Sequence, residues 1–168
     1  MKRNPRLVRV AQAAVIAALY VVLTYVAAIL GLASGAIQIR LSEALCILPV
    51  FTGAAVPGLF IGCVTANLLT GCALWDVVFG SLATLIGAVL CRVMRRHRVL
   101  ALVPNILANT LIVPLVLMFV YQAPGTFWYF ALTVGIGEVI ACGVLGTLLG
   151  RALAPHEERI FGRDGRLL

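Results

Sequence analysis

The chain has 168 residues, of which 62% are hydrophobic and only 11% charged, and it carries a formal net charge of +7; its mean hydropathy is +1.10. Soluble domains are about a quarter charged, so this composition excludes an ordinary soluble enzyme or binding module and indicates a polytopic α-helical membrane protein. In such a chain an excess of Lys and Arg reports orientation in the bilayer rather than binding to nucleic acid.

A basic start (Lys2, Arg3, Arg6, Arg9) leads into the apolar run Val8–Leu32. That run exceeds the roughly 7–15 residues of a signal-peptide core and reads as a retained span over 8–30. Within it Ala14 and Ala18, and likewise Ala13 and Ala17, recur at i, i+4. Small residues at that spacing let a second membrane helix approach closely, either a partner subunit or a neighbour inside the same bundle. "IQIRLSEAL", Ile37–Leu45, then puts Gln38, Arg40, Ser42 and Glu43 between two apolar runs. Charge in lipid is costly. Arg40 and Glu43, three apart, share a helical face, which predicts an external mouth where Arg40 holds Glu43 in place, or an interfacial ion pair.

The next apolar run, Leu41–Leu74, is longer than the about 20 residues one span needs, and it contains Pro49, Gly53, Pro57 and Gly58. It is either one kinked span or a hairpin turning at "FTGAAVPG". The hairpin brings all three basic clusters, at the amino terminus, at "RVMRRHR" (Arg92–Arg98) and from Arg151 onward, to one side, as the positive-inside rule favours. The expected architecture is therefore an all-α membrane protein, one integral domain over 1–168. It has six transmembrane helices near 8–30, 41–53, 56–71, 76–93, 99–121 and 127–150, with both termini cytoplasmic. The second and third are short and need shelter from their neighbours.

The sequence contains no GxxxxGK[ST] loop, no HExxH and no Cys/His ligand cluster. No catalytic motif, metal site or cofactor is therefore expected, and no engine for active transport. The five cysteines are scattered, as small packing residues are. Polar groups from separate spans form the candidate binding set: Gln38, Arg40, Glu43, Asn67, Trp75, Asp76, Asn109, Trp128 and Glu138. Each has a structural use as well. Asp76 suits a helix N-terminus, Asn67 and Asn109 suit interhelical hydrogen bonds, and Trp128, Tyr121 and Tyr129 suit an aromatic belt. Glu138, deep in the last span, is the hardest to explain without a partner or a wet cavity.

"IQIRLSEALCILPVFTGAAVPGLFIGC", "AN" at Ala66–Asn67 and "WDVVFGSLATLIGA" resemble the queuosine precursor transporter (QueT) family. The resemblance runs from Val10 to Gly150, and the family falls among the substrate-binding S components of energy-coupling factor (ECF) transporters. It implies a six-helix bundle in a bacterial plasma membrane that binds a 7-deazaguanine such as preQ0, preQ1 or queuine near its outer face. A membrane coupling (T) subunit docks on the alanine face, and two cytoplasmic ATPases consume the ATP that this chain does not bind. Two other readings stay open: an S component for another vitamin, and a structural membrane subunit without a ligand, for which no polar cavity is expected.

Overall fold

The structure is a computed structural model that describes residues 5–32 and 37–162. Among these residues every regular element is helical. In chain order they are α1 (Pro5–Ile29), a 3-10 helix (Leu41–Val50), α2 (Ala55–Leu69), α3 (Leu74–Val93), a short 3-10 turn (Leu100–Leu102), α4 (Val103–Phe119), α5 (Phe127–Glu138), a π-helical turn (Val139–Leu145), α6 (Gly146–Leu153), a second short 3-10 turn (Ala154–His156) and α7 (Glu157–Phe161). Four stretches are long and apolar enough to cross a membrane: Pro5–Ile29, Leu74–Val93, Leu100–Phe119 and Phe127–Phe161. The 3-10 helix and α2 are shorter, so the expected second span is not an α-helix of membrane length.

The 3-10 helix is the post around which the other helices stand. Eight of its ten residues are buried, as expected of a helix apolar all round. Runs of 3-10 helix beyond three or four residues are uncommon, and this one is supported from every side. Residues three apart eclipse in such a helix, so its side chains form three rows. Ser42, Leu45 and Leu48 lie toward α1, where Thr24 Oγ1 meets Ser42 Oγ at 3.1 Å. In the row of Glu43, Cys46 and Pro49, the Cys46 thiol donates to Glu43 Oε2 at 3.1 Å. At the foot of that row Arg92 of α3 donates to the carbonyls of Pro49 and Val50 at 3.0 and 3.3 Å. Ala44 and Ile47 face α6, where glycines at 146 and 150 leave room for them.

Two close helix approaches hold the rest of the bundle. Gly58 and Gly62 of α2 face α1: a Cβ at Gly58 would lie 2.8 Å from the Ala13 carbonyl, and one at Gly62 would lie 3.0 Å from Ala17 Cα. Gly87 of α3 lies against Asn105 of α4 with no space for a side chain. The first contact uses half of the alanine pattern. Ala13 and Ala17 meet α2 in this contact and are half-buried on the edge of an open groove, whereas Ala14 and Ala18 are exposed.

The bundle has two unlike ends. At one, Arg9 and Arg92 border the same groove beside Gly53. There Arg98 pairs with Glu157 at 2.6 Å and stacks over Phe51, which in turn stacks on Phe161. The turn Phe51–Ala54 thus lies with the basic segments, the arrangement expected of a hairpin. At the other end the Tyr25 hydroxyl donates to the Leu69 carbonyl at 3.1 Å, and the Ala73 amide donates to the Tyr121 hydroxyl at 3.1 Å.

Candidate binding site

Between the post and the second end lies a pocket of about 430 Å3 bordered by α1, α2, α3 and α4. Its polar wall comes from Thr24, Gln38, Arg40, Asn67, Thr70, Cys72, Asp76 and Tyr121. Asp76 stands in the first turn of α3, where a carboxylate meets the positive end of the helix dipole, but it does not cap that helix. Its Oδ2 accepts a hydrogen bond from the Tyr121 hydroxyl at 2.9 Å. Burial, together with the Asp76 carboxylate beside it, pushes the Tyr121 hydroxyl up to about 12, so it stays a donor at neutral pH. Gly80, one turn further along α3, lies beside both Asp76 and Asn67: a Cβ there would sit 3.4 Å from Asp76 Oδ1 and from Asn67 Nδ2.

A side cavity of about 20 Å3 opens beside Gln38 and Arg40, closed by Val113, Val134 and Glu138. Glu138 is 7% exposed, and its Oε2 has no hydrogen-bond partner among the described residues. Asn109, Arg40 and Glu43 are the polar and charged groups that act on it. Glu138 ends α5, and the π-helical turn begins at the next residue; π-helical turns inside helices are frequent at functional sites. The preceding glycine, Gly137, touches the Gln38 carbonyl so closely that no side chain fits there. That contact presses the segment carrying Gln38 and Arg40 against α5.

Glu43 lies elsewhere. It is 1% exposed, its Oε1 accepts from Tyr20 at 2.5 Å, and its Oε2 accepts from Asn105 at 3.0 Å as well as from Cys46. Arg40 forms no ion pair with it among the described residues. The expectation of Glu43 at an open mouth, held by Arg40, is therefore corrected: three neutral donors hold it inside the core, and Arg40 turns to the cavities.

Of the expected residues, Gln38, Arg40, Asn67 and Asp76 border the pocket, Glu138 the side cavity, and Asn109 is buried next to Glu138. Trp75 and Trp128 do not join them. Trp75 is 59% exposed and stacks on Phe79, while Trp128 is 79% exposed against the edge of Phe127; both point away from the bundle. Thr24, Thr70 and Cys72 border the pocket without having been expected there, Tyr121 does so where an aromatic-belt role was expected, and Tyr20 and Asn105 are unexpected members of the Glu43 cluster. The available signal for the last two was a hydrogen-bonding side chain in the middle of an apolar run.

A helical bundle with membrane-length apolar helices and a polar pocket at one end is a multi-pass membrane protein suited to binding a small molecule. No match is found among curated proteins or among solved structures. The family model described as "QueT transporter" matches residues 10–155, and the chain belongs to that family, one of membrane transporters rather than of enzymes.

Proposed function

We propose that the chain is the substrate-binding S component of an energy-coupling factor importer and that it takes up a 7-deazaguanine queuosine precursor into a bacterial cell. The observation that carries this reading is the pocket of about 430 Å3, in which Asp76, fixed by Tyr121, stands beside Asn67, Gln38 and Arg40 in a chain of the QueT transporter family. A guanine-like edge offers adjacent N–H donors, and one carboxylate accepts both in a fork. Asn67 and Gln38 supply further donors and acceptors, and Val113, Val116 and Leu117 supply an apolar face for a flat ring.

The unlike ends support an orientation. The end rich in arginine belongs in the cytoplasm under the positive-inside rule, which opens the pocket to the outside. With no nucleotide-binding loop of its own, the chain depends on a coupling subunit and two ATPases. The alanine face of α1, where Ala13, Ala14 and Ala17 line a groove of about 700 Å3 against α2 and Ala18 is exposed, is the docking face for that coupling subunit. The polar pocket weighs against a structural subunit without a ligand.

Mass spectrometry of small molecules released from gently purified protein tests the reading. Recovery of a 7-deazaguanine, with calorimetric binding of the same compound, is the expected result. Recovery of a different vitamin that binds more tightly would keep the S-component role and overturn the substrate.

A further inference from the structure

At the arginine-rich end a cavity of about 190 Å3 lies between α6 and the start of α4. Pockets for whole drug-sized molecules begin at about 300 Å3, so this one suits a headgroup rather than a complete metabolite. Its wall carries two arginines, Arg98 just before α4 and Arg151 in the last turn of α6. Thr147, Gly150 and Arg151 fall at i, i+3 and i+4 and share a face of α6. Arg98 is held in place: its guanidinium donates to Glu157 at 2.6 Å and lies over the Phe51 ring, 5.1 Å from its centre. A guanidinium has five N–H donors, and this ion pair uses one nitrogen. No acidic group pairs with Arg151 among the described residues. Two cations therefore stand against one carboxylate. The helical stretch Leu100–Phe119 adds its positive dipole end directly after Val99 of the cavity wall. The rim is apolar: Val99, Val103 one turn further on, and Leu148 next to Thr147 are all exposed, on or next to stretches of membrane length. A ligand that matches both features carries negative charge and hydrocarbon together.

We propose that this cavity is a binding site for the phosphate of an anionic phospholipid, which under the orientation given above belongs to the inner leaflet. Guanidinium and phosphate pair through charge-assisted hydrogen bonds. Basic pockets between spanning helices collect anionic headgroups at the cytoplasmic surface, because that leaflet is itself negatively charged. Free phosphate shares the anion chemistry, but only the lipid also covers the apolar rim of Val99, Val103 and Leu148. A headgroup bound here joins the segment before α4 to α6 and offsets the repulsion between Arg98 and Arg151. The site is independent of the substrate pocket at the other end and of which molecule that pocket takes.

Thermal unfolding of the purified full-length protein in a neutral detergent tests this, with phosphatidylglycerol, phosphatidylcholine or inorganic phosphate added in increasing amounts. A ligand that binds the folded state raises the unfolding temperature, and the midpoint of that rise reads its affinity. Phosphatidylglycerol is expected to act at a concentration about tenfold or more below phosphatidylcholine. Arg151→Gln is expected to move the phosphatidylglycerol midpoint up about tenfold, the loss of one charge-assisted contact. Arg96→Gln, an exposed arginine of the same basic segment outside the cavity, should stay within about threefold of wild type. Thr147→Leu narrows the cavity and leaves both arginines; it is expected to weaken phosphatidylglycerol as Arg151→Gln does, and it serves should that variant prove unstable. The inference is overturned if the two lipids act alike, if Arg96→Gln loses as much as Arg151→Gln, or if Arg151→Gln and Thr147→Leu both keep the wild-type midpoint. Full stabilisation by inorganic phosphate alone, lost in Arg151→Gln, would overturn the lipid as the occupant in favour of the free anion.

Discussion

The Tyr20 hydroxyl donates to Glu43 Oε1 across 2.5 Å inside the bundle core, joining α1 to the central 3-10 helix. With Asn105 and Cys46 on the other oxygen, this makes Glu43 a structural centre. Tyr20→Phe removes one donor to a carboxylate and is expected to cost about 1.5–3 kcal/mol of stability. Glu43→Gln is expected to cost at least as much, because its amide N–H2 would face groups that themselves donate. Both should lower the unfolding temperature in detergent and leave ligand affinity within about threefold. A Glu43→Gln protein that melts normally but does not bind would return Glu43 to the site.

At the pocket, Tyr121→Phe leaves the ring and removes the hydroxyl that fixes Asp76. Affinity is expected to fall about tenfold, the loss of one charge-assisted hydrogen bond, while Trp75→Phe and Trp128→Phe leave it unchanged. Equal losses in all three variants would mean that exposure of the tryptophans gives a poor account of their role.

Two glycine substitutions separate the site from the core. In Gly137→Ala the new methyl group collides with the Gln38 carbonyl, so the segment carrying Gln38 and Arg40 must move. Ligand affinity should drop about tenfold or more with a modest change in melting temperature. In Gly87→Ala the collision is with Asn105, a donor to Glu43, and the melting temperature should fall first. The reverse ranking in either assay would contradict these placements.

The alanines divide in the same way. Ala14→Trp and Ala18→Trp are expected to abolish uptake in cells while ligand binding by the isolated protein persists, because both positions are exposed. Ala13→Trp should instead destabilise the protein itself, since its neighbour is Gly58 of α2. Normal uptake by both of the first two variants would rule out this face as the docking surface.

Sidedness is open to a labelling test. Cys46, Cys63, Cys91 and Cys142 are buried, and Cys72 is half-exposed, so Cys72→Ser gives a background quiet toward an impermeant thiol reagent. In intact cells a cysteine at Pro124 should be labelled and one at Arg96 protected. The stretch near Ser34, which the sequence also assigns to the outside, falls outside the described residues. Labelling at both Pro124 and Arg96 would break the assigned orientation.

Much of this layout is legible in the sequence because charge and apolar length act locally. The hairpin near Thr52 follows from where the arginines lie. The pocket residues Gln38, Arg40, Asn67 and Asp76 follow from the cost of polar groups beside apolar runs. Glu43 was misplaced because a spacing of three puts Arg40 on its face in an α-helix and in a 3-10 helix alike, while its partners Tyr20 and Asn105 lie 23 and 62 positions away. Trp75 and Trp128 were misplaced because an aromatic ring at a membrane boundary has the same composition signature whether it faces lipid or ligand. No local pattern distinguishes a ten-residue 3-10 helix from a short α-helix when all its sides are apolar.

The three rows of the Leu41–Val50 helix set its reading frame. One inserted or deleted residue turns everything beyond it by about a third of a turn. An insertion just before Glu43 would point the carboxylate at the wrong neighbour and leave Tyr20 and Asn105 donating to nothing. Removing three residues restores the rotation and shortens the helix by about 6 Å. Length variation inside this segment is therefore expected only in steps of three, whereas a bundle built solely of α-helices would be more forgiving of steps of four.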